Sequence, residues 1–333
     1  MKLKYSSVFF LILSTLDNKA FTVEPTRVLV VNTQDASVSL VDLVAMKEIK
    51  RIPVGKNPYG VAVSRDQNIF VIGVEGEEGV RFFDTSSFKP MGFIKIGKMK
   101  NDHISLTTDG KYFVVANYFS NNIIAIDVKR QKVAYHISGL SGPHVVKFGP
   151  QKKNAYVTCK KVTGLGIIDV EQKKARFIPL NVNPRSLTFS PDESRVYFAS
   201  FWVDGFFEMD PILAKVTRLI KIEPPSDNSN PQEVTYHGVE AVTNNVVLAA
   251  NEGRSFIDAV DVHSGKLTDR LTGASKPCCI EHIPGSQSGV VKALVSNIGN
   301  STLEIVSLTE DGKLKSTGKV SVGAVPKRVA FLN

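Results

Sequence analysis

The sequence predicts an all-β protein, a seven-bladed β-propeller of four-stranded antiparallel blades whose ring is closed by a C-terminal innermost strand. Two observations support this prediction: a ten-residue spacing that returns along the chain, and short apolar runs separated by polar turns. The spacing separates Asn32 from Asp42, Asn117 from Asp127, Cys159 from Asp169, Ser200 from Asp210, Asn251 from Asp261 and Asn297 from Ser307, and it is eleven residues from Gly73 to Asp84. Repeated units of roughly 40 residues are typical of propellers and solenoids.

Each copy of the repeat predicts four short strands, which we label A to D from the channel outward. In the second copy the strands are expected at 59–64, 69–73, 80–84 and 91–96. These runs are rich in Val, Ile and Phe and are bounded by Gly, Asp, Asn and Pro, which is typical of strands and turns. Apolar residues on both faces of the inner strands indicate sheets that pack between neighbouring sheets.

The other copies fill the rest of the ring. They cover about 102–137, 143–179, 184–222, 235–272 and 277–322. The chain opens with a strand B at Val28 and ends with a spare strand A at 327–332, so we expect the first blade to combine 327–332 with 28–54. Such closure removes the free sheet edge of an open repeat. The linker at 223–231 is rich in Pro and polar residues, which predicts a surface loop.

The beginning of the chain has the pattern of a secretory signal. Lys2 and Lys4 precede a short apolar run at 8–13, and Ala20 is a small residue at a plausible cleavage point. We therefore expect a signal peptide over 1–20, with an uncleaved anchor as the alternative, and one propeller domain over 21–333. This predicts a periplasmic or secreted protein with no transmembrane span beyond the signal.

Composition and charge narrow the classes of partner. Hydrophobic residues make up 43% of the 333 residues, which is enough for a packed core. The net charge of +9 favours anionic partners, including nucleic acid, although it also serves solubility alone.

Cys278 and Cys279 are adjacent, and a disulfide between neighbours would be strained. The third cysteine, Cys159, stands apart from them.

The repeats resemble the YVTN-type β-propeller repeat over residues 28–333. The resemblance rests on runs such as Val30-Val31-Asn32 and Ile124-Ala125-Ile126-Asp127, and on Val-Gly-x-x-Pro after strand D, as in Val54-Gly55-Lys56-Asn57-Pro58. It implies an exported protein, and some relatives bind DNA or act at surfaces. Similar propellers carry haem d1 or act as lactonases, which implies haem or a transition metal as a cofactor, or a hydrolase.

The residues of this chain fit two of these implied functions poorly, a lactonase and a transition-metal protein. The lactonase pattern Gly-Pro-His-Pro-His is here only Gly142-Pro143-His144-Val145, and the copper cluster of nitrous oxide reductase needs seven histidines where this chain has six. Trp202 is the sole tryptophan, which excludes WD-repeat proteins. Neither a nucleophile elbow nor a phosphate-binding loop occurs in the sequence.

The first residues of the seven A strands are expected to meet around one mouth of the channel. They are Tyr59, His103, His144, Arg185, His237, Cys278 and Lys327 with Arg328. The set predicts either a pocket for a small anionic ligand, favoured by its cations, or a metal site at His103, His144 and His237. The alternative is a wet funnel that needs polar residues for solvation alone. Glu240, inside the sixth strand A, is expected near His237, as lactonase-like chemistry would require.

The B–C loops form a second predicted surface on the same face. Its aromatic and cationic residues are Tyr118, Phe119, Lys160, Lys161, Phe201, Trp202 and Arg254. Such residues can anchor a partner protein or stack on bases, and they can equally cover the tops of adjacent blades. We therefore expect an exported, monomeric binding or scaffold protein whose partner is a protein or a small anion, with nucleic acid retained as a partner class. The alternatives are a haem- or metal-binding redox propeller and a lactonase-like hydrolase.

Overall fold

The computed structural model describes residues 24–100, 102–149, 154–223, 236–285 and 290–332. The predicted signal segment and nearly all of the linker at 223–231 lie outside these ranges. Within them the chain forms twenty-eight β-strands and one 3₁₀ turn, Glu75–Glu77. No helix of this part of the chain has the length and apolar character to cross a membrane.

The strands, in chain order, are β1 (Arg27–Asn32), β2 (Ser37–Asp42), β3 (Lys47–Pro53), β4 (Pro58–Ser64), β5 (Ile69–Val74), β6 (Gly79–Asp84), β7 (Pro90–Lys95), β8 (Ile104–Leu106), β9 (Tyr112–Asn117), β10 (Asn122–Asp127), β11 (Lys132–Ile137), β12 (Pro143–Phe148), β13 (Asn154–Cys159), β14 (Gly164–Asp169), β15 (Lys174–Pro179), β16 (Pro184–Phe189), β17 (Val196–Ser200), β18 (Gly205–Asp210), β19 (Lys215–Lys221), β20 (Tyr236–Ala241), β21 (Val246–Asn251), β22 (Phe256–Asp261), β23 (Lys266–Thr272), β24 (Pro277–His282), β25 (Val291–Asn297), β26 (Thr302–Leu308), β27 (Leu314–Ser321) and β28 (Pro326–Phe331).

These strands form seven four-stranded antiparallel sheets, which confirms the predicted seven-bladed all-β propeller. Six sheets each take four consecutive strands, from β4–β7 to β24–β27. The remaining sheet has the order β28-β1-β2-β3, with Val28 opposite Phe331 and Val30 opposite Val329. The predicted closure by the last strand is therefore present, and blade 1 draws its strand A from the far end of the chain.

The core lies between blades. The inner strands are buried along nearly their whole length, as in β5, whereas the outer strands such as β3 expose most of their residues. One cluster joins Leu29 and Val31 of blade 1 to Phe70, Ile72 and Phe83 of blade 2. Within it, the rings of Phe70 and Phe83 stack with centroids 4.9 Å apart. Burial of both faces of each inner strand explains the continuous apolar runs of the sequence.

The ten-residue spacing has a cause in the turns. It runs from the end of strand B to the end of strand C, so it measures one B–C hairpin. The Asp at its end accepts backbone hydrogen bonds within the C–D turn, as Asp42 Oδ1 does from Val44 N at 2.9 Å and Ala45 N at 2.8 Å. At its start, Asn117 is buried and its Oδ1 accepts from Ser120 N at 2.9 Å in the B–C loop. Such side-chain turns specify the chain reversals.

Candidate functional site

Irregular pairing at the start of the A strands aims their first side chains into the channel. The A–B register shifts between Pro58 and Val61, and equivalent shifts occur at the starts of β12, β16, β20 and β24. A bulge bends the strand and re-aims side chains that would otherwise alternate between the two faces. In β24 the side chains of both Cys278 and Cys279 reach residues of other blades, since Cys278 Sγ contacts His237 and Cys279 Sγ contacts Arg328. The two sulfurs lie 3.7 Å apart.

The structure brings the predicted mouth residues together into one group, which we call the channel-end cluster. It comprises Tyr59, His103, His144, Arg185, His237, Cys278, Lys327 and Arg328, at the end of the A strands where the B–C loops lie. His103 and Arg328 line the channel cavity, and the other six join them through side-chain contacts, directly or by way of Glu252 and Cys279. The group is a closely packed layer, because the Cys278 and His144 side chains are only 0% and 2% exposed. It differs from the open funnel that solvation alone would require.

Arg328 is the centre of one half of the cluster. Its Nη1 donates to Cys279 Sγ at 2.7 Å and its Nη2 donates to the Tyr59 hydroxyl at 3.3 Å. The same guanidinium contacts Nε2 of His103. The His103 ring lies 5.0 Å from the His144 ring, centroid to centroid. One cation from the closing strand thereby links blades 1, 2, 3 and 7.

His237 is the centre of the other half. Its Nδ1 lies 2.6 Å from Glu252 Oε2 and 3.0 Å from Cys278 Sγ. Arg185 Nη2 donates to the same Glu252 oxygen at 3.3 Å, and Lys327 Nζ lies 3.7 Å from Cys278 Sγ. The three histidines predicted as one metal site are thus divided between two sets of contacts, since the direct polar partners of His237 are Glu252 and Cys278.

Several buried polar atoms of the cluster have no hydrogen-bond partner among the described residues. They are both ring nitrogens of His144, Nη1 of Arg185 and Nε of Arg328. Leaving a buried donor or acceptor unpaired costs about 1–3 kcal/mol. Four such atoms in one layer are hydrogen-bonding capacity that ordered water or another polar group would satisfy.

Burial sets the protonation of the cluster. It holds the pKa values of His103 and His144 well below the ordinary value, assisted by the charges of Arg328 and Lys160, so both rings are neutral. Burial also lowers the pKa of His237, to about 3. Burial alone would raise the pKa of Glu252, but the hydrogen bond with His237 outweighs it and the pKa falls to about 2.

The cluster carries an excess of positive charge. Burial, followed by repulsion from Arg185 and Arg328, lowers the pKa of Lys160 to about 8. The contact with the Cys278 thiol and the charge of Arg328 lower the pKa of Cys279. Three cations of the cluster, Arg185, Lys327 and Arg328, therefore face two groups that carry or readily acquire negative charge, Glu252 and the Cys279 thiol. Lys160 lies close enough to be repelled by Arg185 and Arg328.

A cavity of about 610 Å³ fills the channel behind the cluster. The A strands of all seven blades line it, with Arg328, His103 and Cys279 at one end and the exposed turns at Asp66 and Asp109 at the other. Halfway along, Lys147 Nζ lies 2.7 Å from Glu240 Oε2 and 3.9 Å from Glu281 Oε1.

Glu240 also accepts a hydrogen bond from Thr188 Oγ1 at 3.0 Å. Its carboxylate therefore contacts Lys147 and Thr188, and it is Glu252 that pairs with His237. Neither Glu252 nor Cys279 was expected in the site from the sequence. Both reach the cluster through contacts between strands that chain spacing does not reveal.

The B–C loop residues divide between exposed and engaged positions. Trp202 is 70% exposed and Phe119 is 45% exposed, and Tyr118 receives the Lys161 ammonium over its ring at 4.7 Å. Phe201 lies under the Arg185 guanidinium at 4.7 Å. Arg254 is not available to a partner in the same way, because its Nη1 donates to Asp204 Oδ1 at 2.8 Å and its side chain is 6% exposed.

Comparison with protein families matches residues 18–182 to the family described as Choice-of-anchor I domain. No curated protein matches the chain. The YVTN-type resemblance remains a prediction.

Solved structures share the fold at low sequence identity. Hydrazine synthase of Kuenenia stuttgartiensis is similar with a TM-score of 0.70 and 15% identity, over 88% of this chain and 92% of that one. A protein from Lactobacillus plantarum gives 0.75 and 14%, over 93% and 100%. The dihydro-heme d1 dehydrogenase NirN, solved in complex with DHE, gives 0.63 and 15%, over 96% and 78%. Likeness at this identity concerns the fold alone, a seven-bladed propeller.

Proposed function

We propose that this protein is an exported binding or scaffold module that holds a small anionic ligand at the channel-end cluster. The observation that carries the proposal is the unpaired, buried hydrogen-bonding capacity of Arg185, Arg328 and His144 inside a positively charged layer. Charge-assisted hydrogen bonds from guanidinium groups to carboxylate or phosphate are among the strongest in proteins. An anion would satisfy the unpaired N–H groups. It would also offset the repulsion from Arg185 and Arg328, which adds to burial in lowering the pKa of Lys160.

Export and an interacting rim complete the proposal. The signal-like start of the sequence and the match to a domain described as choice-of-anchor support a periplasmic, secreted or surface location. The exposed side chains of Trp202 and Phe119 flank the same channel end and offer apolar area to a partner protein. Trp202 also holds a positive φ of 64°, which is unfavourable for a bulky residue.

Haem is less well supported by the residues present. His103 is the histidine that lines the channel cavity, and its Nε2 is engaged by Arg328. A haem iron would require that nitrogen or a rearranged ring. An absorption spectrum of natively purified protein tests this alternative, since bound haem would show its characteristic visible bands.

Anion binding is tested by titrating the whole protein with inorganic phosphate and with citrate at constant ionic strength. Calorimetry and the fluorescence of Trp202, the sole tryptophan, report binding. Losing one charge-assisted hydrogen bond costs about 1.5–3 kcal/mol, so Arg185→Gln and Arg328→Gln should each weaken binding about 10- to 100-fold. Arg130→Gln removes the same charge from a side chain that is 80% exposed in a C–D turn and serves as the matched control.

The variants distinguish a specific pocket from general attraction to a basic protein. The proposal is contradicted if Arg185→Gln, Arg328→Gln and Arg130→Gln all bind the anion as tightly as the wild type does. It is also contradicted if the wild type binds neither phosphate nor citrate. Circular dichroism of each variant checks that the propeller has folded. If Arg328→Gln does not fold, Lys160→Gln replaces it, because Lys160 lies in a B–C loop outside the strands.

A further inference from the structure

We propose that His237, Glu252 and Cys278 form a binding site for a divalent transition-metal ion, with Zn²⁺ as the ion that suits them best. Their ligand atoms, an imidazole nitrogen, a carboxylate oxygen and a thiol sulfur, all lie within 4.8 Å of one another. They come from β20, from the B–C loop of the same blade, and from β24 of the next blade. This set differs from the three histidines expected from the sequence, and the inference does not depend on anion binding.

The contacts of His237 are difficult to satisfy without a cation. Its Nδ1 lies 2.6 Å from Glu252 Oε2 and 3.0 Å from Cys278 Sγ, so two electron-rich atoms converge on one ring nitrogen. If Nδ1 carries a proton, it donates a well-formed hydrogen bond to only one of these two atoms. If Nδ1 carries no proton, its lone pair repels the carboxylate oxygen. A metal ion between the three atoms would attract all of them at once.

The distances are close to those a metal requires. Tetrahedral Zn²⁺ takes bonds of about 2.0–2.1 Å to nitrogen, about 2.0–2.2 Å to oxygen and about 2.3 Å to sulfur. The ligand atoms of such a site are separated by roughly 3.2–3.7 Å. The observed 2.6 Å between Nδ1 and Oε2 and 3.0 Å between Nδ1 and Sγ therefore need to open by about 0.5–0.8 Å, which side-chain rotation can supply. Binding displaces the Cys278 thiol proton to solvent.

Neighbouring cations hold the Glu252 carboxylate and the Cys278 thiol in place. Arg185 donates to Glu252 Oε2 at 3.3 Å, and Lys327 Nζ lies 3.7 Å from Cys278 Sγ. Outer partners of this kind orient ligands and are often as important as the ligands themselves. They also partly offset the negative charge, which favours a site with three protein ligands and a fourth position open to an exogenous ligand.

Close approach of the two blades brings the ligands together. A Cβ atom on Gly238 would lie 2.9 Å from the Cys278 carbonyl oxygen and 3.1 Å from Ile280 N. Only glycine allows β20 and β24 to approach so closely at this level, next to His237 on one strand and Cys278 on the other.

Co²⁺ is the probe for this site, because cobalt bound to a thiolate gives a charge-transfer absorption band that the zinc-bound form lacks. The full chain, kept reduced and freed of metal with a chelator, should bind one Co²⁺ with this band and release it to Zn²⁺. Cys278→Ser should abolish the band. His237→Gln and Glu252→Gln should each weaken Co²⁺ binding at least about tenfold.

Two cysteine variants act as controls. Cys159→Ser removes a buried thiol of blade 4 and should leave the band unchanged. Cys279→Ser should also leave it, because that sulfur is engaged by Arg328. The proposal is overturned if the wild type shows no thiolate band, if Cys278→Ser retains it, or if Cys279→Ser alone removes it. Should Cys278→Ser fail to fold, undiminished Co²⁺ affinity in both His237→Gln and Glu252→Gln would overturn it.

Discussion

Replacing Arg270 with methionine should destabilise the propeller strongly, and by an amount that depends on pH. Asp258 in β22 is fully buried, and Arg270 in β23 is its cationic partner. Arg270 Nε donates to Asp258 Oδ1 at 2.6 Å and Nη2 donates to Oδ2 at 2.9 Å. The Tyr236 hydroxyl is the other side-chain donor to this carboxylate. Arg270→Met removes the bidentate partner while keeping most of the side-chain volume.

The magnitude follows from what a buried carboxylate can do without its partner. Removing one member of a buried ion pair typically costs about 3–5 kcal/mol. The protein can limit this cost by protonating Asp258. At pH 7 that protonation costs about 1.36 kcal/mol for each pH unit above the ordinary aspartate value of 3.8, or about 4 kcal/mol in total. We therefore expect a loss of about 3–4 kcal/mol at pH 7 and about 2 kcal/mol at pH 5.

The sign of the pH dependence follows from the direction of the pKa shift. Burial raises the pKa of Asp258 even with Arg270 present, and the variant should raise it further. A carboxyl with a raised pKa binds more protons in the folded state than in the unfolded state, so stability falls as pH rises towards the folded pKa. The difference between wild type and Arg270→Met should therefore grow between pH 5 and pH 7.

Urea unfolding followed by circular dichroism at several pH values measures this difference. Asp258→Asn combined with Arg270→Met leaves no buried charge and should recover a large part of the loss. Arg218→Met is the matched control, since its partner Glu208 lies on the equivalent strand pair and the Arg218 side chain is 39% exposed. A loss below about 1 kcal/mol in Arg270→Met, or one that is the same at pH 5 and pH 7, would refute the reasoning.

Two further predictions concern the geometry of the ring. Gly238→Ala should lower the free energy of unfolding by about 1–3 kcal/mol through overpacking, and it should weaken Co²⁺ binding. Gly92→Ala is the control, because a Cβ there meets only the end of a flexible side chain, and it should change neither quantity. Urea unfolding and cobalt titration measure the two effects. Deleting residues 326–333 should expose the edge of β1, and an unpaired strand edge pairs with strands of other molecules. Size-exclusion chromatography should therefore show dimers or aggregates. A monomeric, fully stable product would contradict the role of the closing strand.

The fold was predictable because its signals are local and repeated. The ten-residue spacing measures one hairpin, and the Asp at its end is held in place by turn hydrogen bonds that recur from blade to blade, for example at Asp42 and Asp261. A fold built from seven copies of one hairpin-based unit can therefore be inferred from the turn residues of each hairpin and from the number of copies. The closing strand was predictable for the same reason, since one copy lacked its strand A.

The composition of the site was only partly predictable. Position within the repeat placed His103, His144 and His237 in one layer, but it did not assign their partners. Those partners depend on how far each bulge rotates a side chain and on contacts between blades, as between His237 and Cys278 or between Arg328 and Tyr59. Cys279 was missed because regular alternation would turn it away from Cys278, and the bulge in β24 cancels that alternation.

The order of the strands in blade 1 has a consequence for biosynthesis. β1, β2 and β3 leave the ribosome first, whereas β28 is made only after the other six blades. Until β28 has been synthesised, β1 has no strand to pair with on its inner edge, and Arg328 has not yet been added. β28 therefore supplies both the seam of the ring and the cation at the centre of one half of the cluster, so neither can assemble before the other six blades have been synthesised.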